Sequence, residues 1–105
     1  TEGDDLTRFA VEVGVAYGSD TSLVERLLRE VAEAHQSVSK ERPVRVQFAN
    51  FGDSALEFRL LFWAENTWEI EFVRSQLRFQ IDQKFRENNV RIPFPQRDVH
   101  FYREQ

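Results

Sequence analysis

The chain has 105 residues, no cysteine and a formal net charge of −4, and 41% of its residues are hydrophobic, among them ten phenylalanines and two tryptophans. This length predicts a single domain with its own core, and the lack of cysteine excludes disulfides and thiolate metal sites in these residues. The negative charge argues against nucleic acid or an acidic membrane surface as a partner, and no segment is apolar enough to span a membrane. The chain starts at Thr1 and contains no methionine, which suggests a piece of a longer protein.

The first half of the chain predicts a strand, a helix and a second strand. Apolar residues alternate with polar or small ones between residues 8 and 16, which is the period of a half-buried strand. The turn at Tyr17–Asp20 ends on a good N-cap residue, and apolar residues then recur every three or four positions to about Ser37. A polar loop closed by Pro43 leads to the second strand, at residues 44–49.

The second half predicts a turn at residues 50–54, a third strand at 56–63, a second helix and a short fourth strand at 90–92. Asn66 or Thr67 is expected to cap this helix, and Asn88 and Asn89 to end it, because asparagine tolerates the left-handed conformation. Beside its main apolar stripe the helix has off-stripe aromatics. They either widen the core face or, for Phe72 and Phe79, contact a neighbouring subunit. On the second face of the third strand, Leu61 and Trp63 are expected to be covered from outside the sheet.

This order of elements is typical of the α+β, ferredoxin-like βαββαβ arrangement, a four-stranded antiparallel sheet with both helices on one face. Residues 8–92 form this body within a single domain, 1–105. Residues 93–105 are predicted to be a linker and a C-terminal extension strand, because Pro93 and Pro95 cannot continue a helix and Val99 and Phe101 alternate with polar residues. The partner of that strand lies either in this chain or in another copy.

No nucleophile with a base, paired carboxylates or metal cluster stands out, so neither an enzyme nor a cofactor is predicted. His35 is expected at the edge of the core, near the end of the first helix. The amides after Tyr17–Asp20 could bind an anion, as in amino-acid-binding regulatory domains of this topology, although a plain strand-to-helix turn explains the same residues. The open sheet face lacks the aromatics that RNA-binding domains of this topology use: it offers Glu12, Gly14, Glu57 and Arg59, with Trp63 at one end.

Three stretches are more specific than the fold: Val13–Asp20 (VGVAYGSD), Val46–Phe62 (VQFANFGDSALEFRLLF) and Ile92–Val99 (IPFPQRDV). In this order and spacing they resemble the C-terminal cytoplasmic α/β domain of the small-conductance mechanosensitive channel (MscS-like) family. The resemblance runs from about Arg8 to Tyr102. It implies no enzymatic activity and no cofactor.

The resemblance implies a part of an integral membrane channel that relieves osmotic stress, at the cytoplasmic face of the inner membrane. Seven copies would form a hollow cage beneath the pore, with side portals for ions and small solutes. The membrane would be reached only through segments absent from this chain, which alone would not conduct. One strand from each subunit would join a barrel at the base of the cage, through a linker and strand made of Pro93, Phe94, Pro95, Gln96, Val99 and Phe101. The residues predicted to contact other subunits are Leu61, Trp63, Phe72 and Phe79.

Overall fold

The computed structural model describes residues 6–93. Their five elements, in chain order, are the strand β1 (Leu6–Val15), the helix α1 (Thr21–Ala34), the strands β2 (Arg45–Phe51) and β3 (Leu56–Glu65), and the helix α2 (Ile70–Glu87). The α+β class and the order of these five elements are confirmed. The strands are longer than the alternation in the sequence predicts, since β1 starts before Arg8 and β3 continues past Trp63.

The sheet has the order β1-β3-β2, with β3 antiparallel to both neighbours. β1 and β2 are therefore parallel to each other and joined through α1, with β3 inserted between them, which is a split βαβ unit. A β-bulge between Phe48 and Asn50 shifts the register of β2, so that Phe48 lies opposite Phe58 and Phe51 opposite Leu56. Asn50 and Phe51, predicted as turn residues, are the last residues of β2.

The predicted fourth strand is not confirmed, because residues 90–92 are not in a strand and the described residues form a three-stranded sheet. The chain nevertheless returns to the sheet after α2, where the Ala16 amide donates to the Arg91 carbonyl at 2.8 Å. This contact lies just past the end of β1. Pro93 is half-buried. The other residues of the predicted linker and barrel strand, from Phe94 to Phe101, lie outside the described residues.

One hydrophobic core lies between the helices and a single face of the sheet, as predicted. α1 lies against β2 and β3, and α2 lies against β1. Buried residues of β1, β3 and both helices belong to one cluster, and Val46 of β2 packs against it, so both helices lie on the same face of the sheet. The largest fully buried side chains are Phe62, Phe85, Leu28, Leu60, Leu77, Val11, Val15 and Val24.

The ends of α1 show why it begins and stops where it does. The Asp20 carboxylate accepts from the amides of Ser22 (3.1 Å) and Leu23 (3.2 Å), which confirms it as the N-cap. The helix ends at Ala34, before the expected end near Ser37, because the backbone of His35 is extended, with a ψ of 132°. The Ser37 amide then donates to His35 Nδ1 at 3.0 Å and makes no helical hydrogen bond.

The ends of α2 differ from those of α1. No side chain caps its start at Ile70, and Thr67 instead accepts from the Glu69 amide at 3.2 Å in the turn before the helix. Its end follows the prediction: Asn89 has a φ of 60°. The Val90 amide then donates to the Phe85 carbonyl at 2.9 Å, which closes a Schellman motif.

Candidate assembly surfaces

In the loop Tyr17–Asp20, the loop's own side chains bond to the nearby backbone groups, including the first amides of α1. Asp20 accepts from the first free amides of α1, and the Ser19 hydroxyl donates to the Ala16 carbonyl at 2.6 Å. Gly18 has a φ of 91°, which only glycine adopts without strain. A bound anion would have to displace the Asp20 carboxylate from these amides, so the loop fits a helix cap better than an anion site.

His35 joins the two helices at the edge of the core, where sequence reasoning expects it. The residue is buried, and its Nδ1 accepts from the Ser37 amide. Nε2 therefore carries the ring proton in the neutral imidazole and donates to Gln76 Oε1, at 2.8 Å. Both ring nitrogens have partners, so His35 acts as a structural bridge between α1 and α2.

The sheet face that points away from the helices is polar along its middle. Arg59 on β3 lies 3.6 Å from the Glu12 carboxylate of β1 and donates to Gln47 of β2 at 3.2 Å. This row of side chains crosses all three strands on the solvent side. It matches the predicted composition of the open face and offers no aromatic surface on which a base could stack.

Leu61 and Trp63 lie at one end of this open face and are largely covered within the chain. Only 8% of the Leu61 surface is accessible. The Arg42 guanidinium lies 4.5 Å from the Trp63 ring centroid, a cation–π contact supplied by the loop before β2. Both residues were expected to be covered from outside the sheet, and most of that cover comes from neighbours in the same chain.

Three large aromatic side chains on α2 and the turn before it lie in solvent. The exposed fractions are 81% for Trp68, 66% for Phe72 and 75% for Phe79. Phe72 and Phe79 are seven residues apart, about two helical turns, so both lie on the side opposite the buried Leu77 and Ile81. Trp68 lies in the turn just before the helix. Trp68, Phe72 and Phe79 are called the α2 surface below. The reading in which Phe72 and Phe79 widen the core face does not fit this exposure.

A second exposed aromatic cluster lies where β2 turns into β3. It consists of Tyr17, Phe48 and Phe51, called the hairpin surface below, and Phe51 is 71% exposed. The Phe48 ring stacks on the buried Phe58 at 4.8 Å between centroids and lies 4.9 Å from the Phe51 ring. The Tyr17 hydroxyl donates to the Gly52 carbonyl, so Tyr17 is held to the turn.

Sequence reasoning missed this hairpin surface. Alternation with period two puts Phe48 and Phe51 on opposite faces of a strand, whereas the β-bulge turns both toward the same side. The one available signal was a phenylalanine within the otherwise polar turn sequence Asn50–Ser54.

Residues 6–93 contain no group of three or more histidine, aspartate or glutamate side chains placed to hold a metal ion. Neither α1 nor α2, the helices of this part of the chain, is long and apolar enough to cross a lipid bilayer.

Residues 9–92 match the family model for the C-terminal domain of the mechanosensitive ion channel MscS. This match covers most of the chain and nearly all of its described part. The fold is thus that of a channel domain, and the chain belongs to the MscS family.

Individual relatives agree with this assignment. The chain is 34% identical over 86 residues to a small-conductance mechanosensitive channel of Helicobacter pylori, covering 82% of this chain and 31% of the relative. It is 35% identical over 102 residues to the mechanosensitive channel MscK of Escherichia coli, covering 97% of this chain and 9% of the relative. The crystal structure of Helicobacter pylori MscS in its closed state superposes with a TM-score of 0.81 at 29% identity, over 99% of this chain and 41% of that one. The chain thus spans less than half the length of these relatives.

Proposed function

We propose that this chain is the cage-forming domain of a mechanosensitive channel that relieves osmotic stress, at the cytoplasmic face of the inner membrane. In this role it assembles with other copies of itself, seven in the complete channel, and the cage filters the ions and small solutes that reach the pore. It neither conducts alone nor catalyses a reaction, and it binds no cofactor or nucleic acid. The resemblance of its motifs to the cage domain and its membership of the MscS family support this proposal.

The observation that carries the assembly role is the exposed aromatic α2 surface. Soluble monomers rarely leave several large aromatic side chains together in solvent, and such patches mark interaction sites. Phe72 and Phe79 are our main proposed subunit contacts, because both are exposed on the outer side of the helix. Trp63 and Leu61 remain proposed subunit contacts. They present less accessible surface to a partner, because their own chain covers most of it.

The barrel role of the C-terminal segment is part of the same proposal. Pro93–Gln96 would direct the chain out of the domain, and Val99 and Phe101 would form the apolar alternation of an intersubunit barrel. The contact between Ala16 and Arg91 supports an exit from the sheet at this edge, just before the two prolines. Replacing Phe101 by aspartate in the complete channel should weaken the base of the cage. Unchanged assembly would argue against inward packing of Phe101.

Light scattering of this chain and of the longer channel that contains it tests the proposed function. Seven-fold assembly is expected in the longer channel and not in the chain at micromolar concentration, because a few short strands bury too little area to offset the cost of association. A longer channel with another subunit number would contradict the seven-fold cage. A stable heptamer of the chain alone would contradict the dependence of assembly on the rest of the channel.

The alternative is an amino-acid-binding regulatory domain that uses the loop Tyr17–Asp20. The capping bonds of Asp20 argue against it, since they occupy the amides that a carboxylate ligand would need. Calorimetry with a panel of amino acids decides between the two, with Gly18→Ala as the control variant because the φ of 91° strains any residue but glycine and so distorts the loop. Specific micromolar binding that the variant loses would favour the alternative.

A further inference from the structure

We propose that the α2 surface of one copy docks on the hairpin surface of the next copy, in a head-to-tail contact. That the partner is a second copy of the chain rests on the proposed function. That these two surfaces pair with each other is argued from their positions, shapes and sizes. Each surface has three aromatic residues, and their rings extend into solvent within the described chain.

The two surfaces lie at opposite corners of the domain. Trp68 and Phe72 follow the end of β3, where Glu65 pairs with Leu6 at the start of β1. The hairpin surface lies at the other end of β3, where Leu56 pairs with both Val15 and Phe51. α2 also lies over β1 on one side of the sheet, and β2 is the opposite edge strand. The two surfaces therefore cannot cover each other within one chain.

Their shapes differ in a way that favours pairing of unlike surfaces. The α2 surface presents protruding rings. The most exposed of them, Trp68, lies in the turn before the helix. Beside the hairpin surface is a groove between the first turn of α1 and β2. Its lining is mixed, with Thr21, Ser22 and Glu25 on the polar side and Val46, Phe48 and Phe58 on the apolar side. Phe48 is held in place by stacking on Phe58. A protruding ring fits a groove that offers apolar side chains better than it fits a second set of protruding rings.

The size of the surfaces sets the strength of the contact. An aromatic side chain buries about 150–250 Å² when fully covered, so the three rings of the α2 surface supply on the order of 400 Å². A stable interface needs roughly 800 Å² from each partner. The contact is thus about half of a standard interface, and it reinforces an assembly that other segments of the channel also hold together.

A contact between two different surfaces has a consequence for symmetry. A head-to-tail interface repeats from copy to copy and closes into a ring when the rotation allows it, whereas a contact of one surface with itself stops at a dimer. The arrangement of two unlike aromatic surfaces on one domain is what a ring of identical subunits requires.

Cysteine cross-linking tests this pairing, because the chain has no cysteine of its own. Ser75→Cys places a thiol on the α2 surface, one turn from both Phe72 and Phe79, and Ser22→Cys places one at the groove; both changes are nearly isosteric and keep every aromatic ring. The two variants are mixed at high concentration and treated with a short bis-maleimide. Glu33→Cys is the matched control, an exposed position near the other end of α1, about three helical turns from Ser22.

The mixture should give about ten-fold more cross-linked dimer than the Ser75→Cys variant mixed with the Glu33→Cys control, which corresponds to a preference of about 1.4 kcal/mol. Adding Phe72→Ser and Phe79→Ser to the Ser75→Cys chain should abolish this excess. Ser75→Cys homodimers in equal yield would overturn the proposal in favour of a symmetric contact. A yield at the control level would overturn it as well. Neither result would touch the seven-fold assembly of the longer channel, which light scattering measures independently.

Discussion

The two helices use their apolar residues in different ways. α1 turns its large apolar side chains toward the core, starts on an Asp20 cap and is bridged to α2 through His35. α2 buries one side through Leu77, Ile81 and Phe85, and it leaves two phenylalanines on its outer side. α1 therefore serves mainly the fold and, in our proposal, contributes only its first turn to the contact with a second copy, whereas α2 serves the fold with one side and a second copy with the other.

Truncation of the inner residues should have the largest effect and should not distinguish the helices. Leu28 on α1 and Leu77 on α2 are both fully buried in the same core. Leu28→Ala and Leu77→Ala should each lower the free energy of unfolding by about 2–5 kcal/mol, through lost burial and the cavity left behind. Urea unfolding measures both values. A loss below ~1 kcal/mol for either variant would contradict its place in the core.

Substitutions at the two helix starts should have a smaller effect on stability, and this effect should differ between α1 and α2. Asp20→Ala removes the two capping bonds of α1 and should cost about 1 kcal/mol. Thr67→Ala should cost less, because Thr67 bonds to an amide in the preceding turn and does not cap α2. Thermal unfolding of both variants gives the order, and a larger loss for Thr67→Ala would reverse this assignment of the caps.

The outer side of α2 should contribute least to stability. Phe79→Ser exchanges an exposed ring for a small polar side chain and should change the free energy of unfolding by no more than about 0.5 kcal/mol. Phe85→Ser, one of the buried positions of the same helix, is the matched control and should be strongly destabilising. An equal loss for both would place Phe79 in the core and remove the difference between the two sides of α2.

Much of the fold follows from local patterns. Alternation in β1 and β3 and the helical spacing in α1 predict the buried face of each element. These predictions hold because the elements share a single core on one side of the sheet. The cap at Asp20 and the helix end at Asn89 also follow from local chemistry. These features depend on neighbours a few residues away, which the sequence displays directly.

Other features depend on neighbours that are distant in sequence. Period-two counting fails across the β-bulge, so the side to which Phe51 points could not be predicted. The position of Arg42 over Trp63 depends on the path of a loop, which no periodicity records. Residues 90–92, predicted as a strand, make one backbone hydrogen bond with Ala16 and do not form a strand ladder. Three residues before a proline offer too few hydrogen bonds for one. The aromatic stripe on α2 was predicted, but its exposure required the structure.

The central claim is that the outer side of α2 is made for association and not for stability. The most direct test measures the translational diffusion coefficient of the chain by NMR between about 0.1 and about 1 mM, the range in which a contact worth roughly 4 kcal/mol becomes populated. The wild-type chain should diffuse more slowly as its concentration rises. The Phe72→Ser, Phe79→Ser double variant should keep its unfolding midpoint and lose this concentration dependence. Equal slowing of both chains would contradict the account.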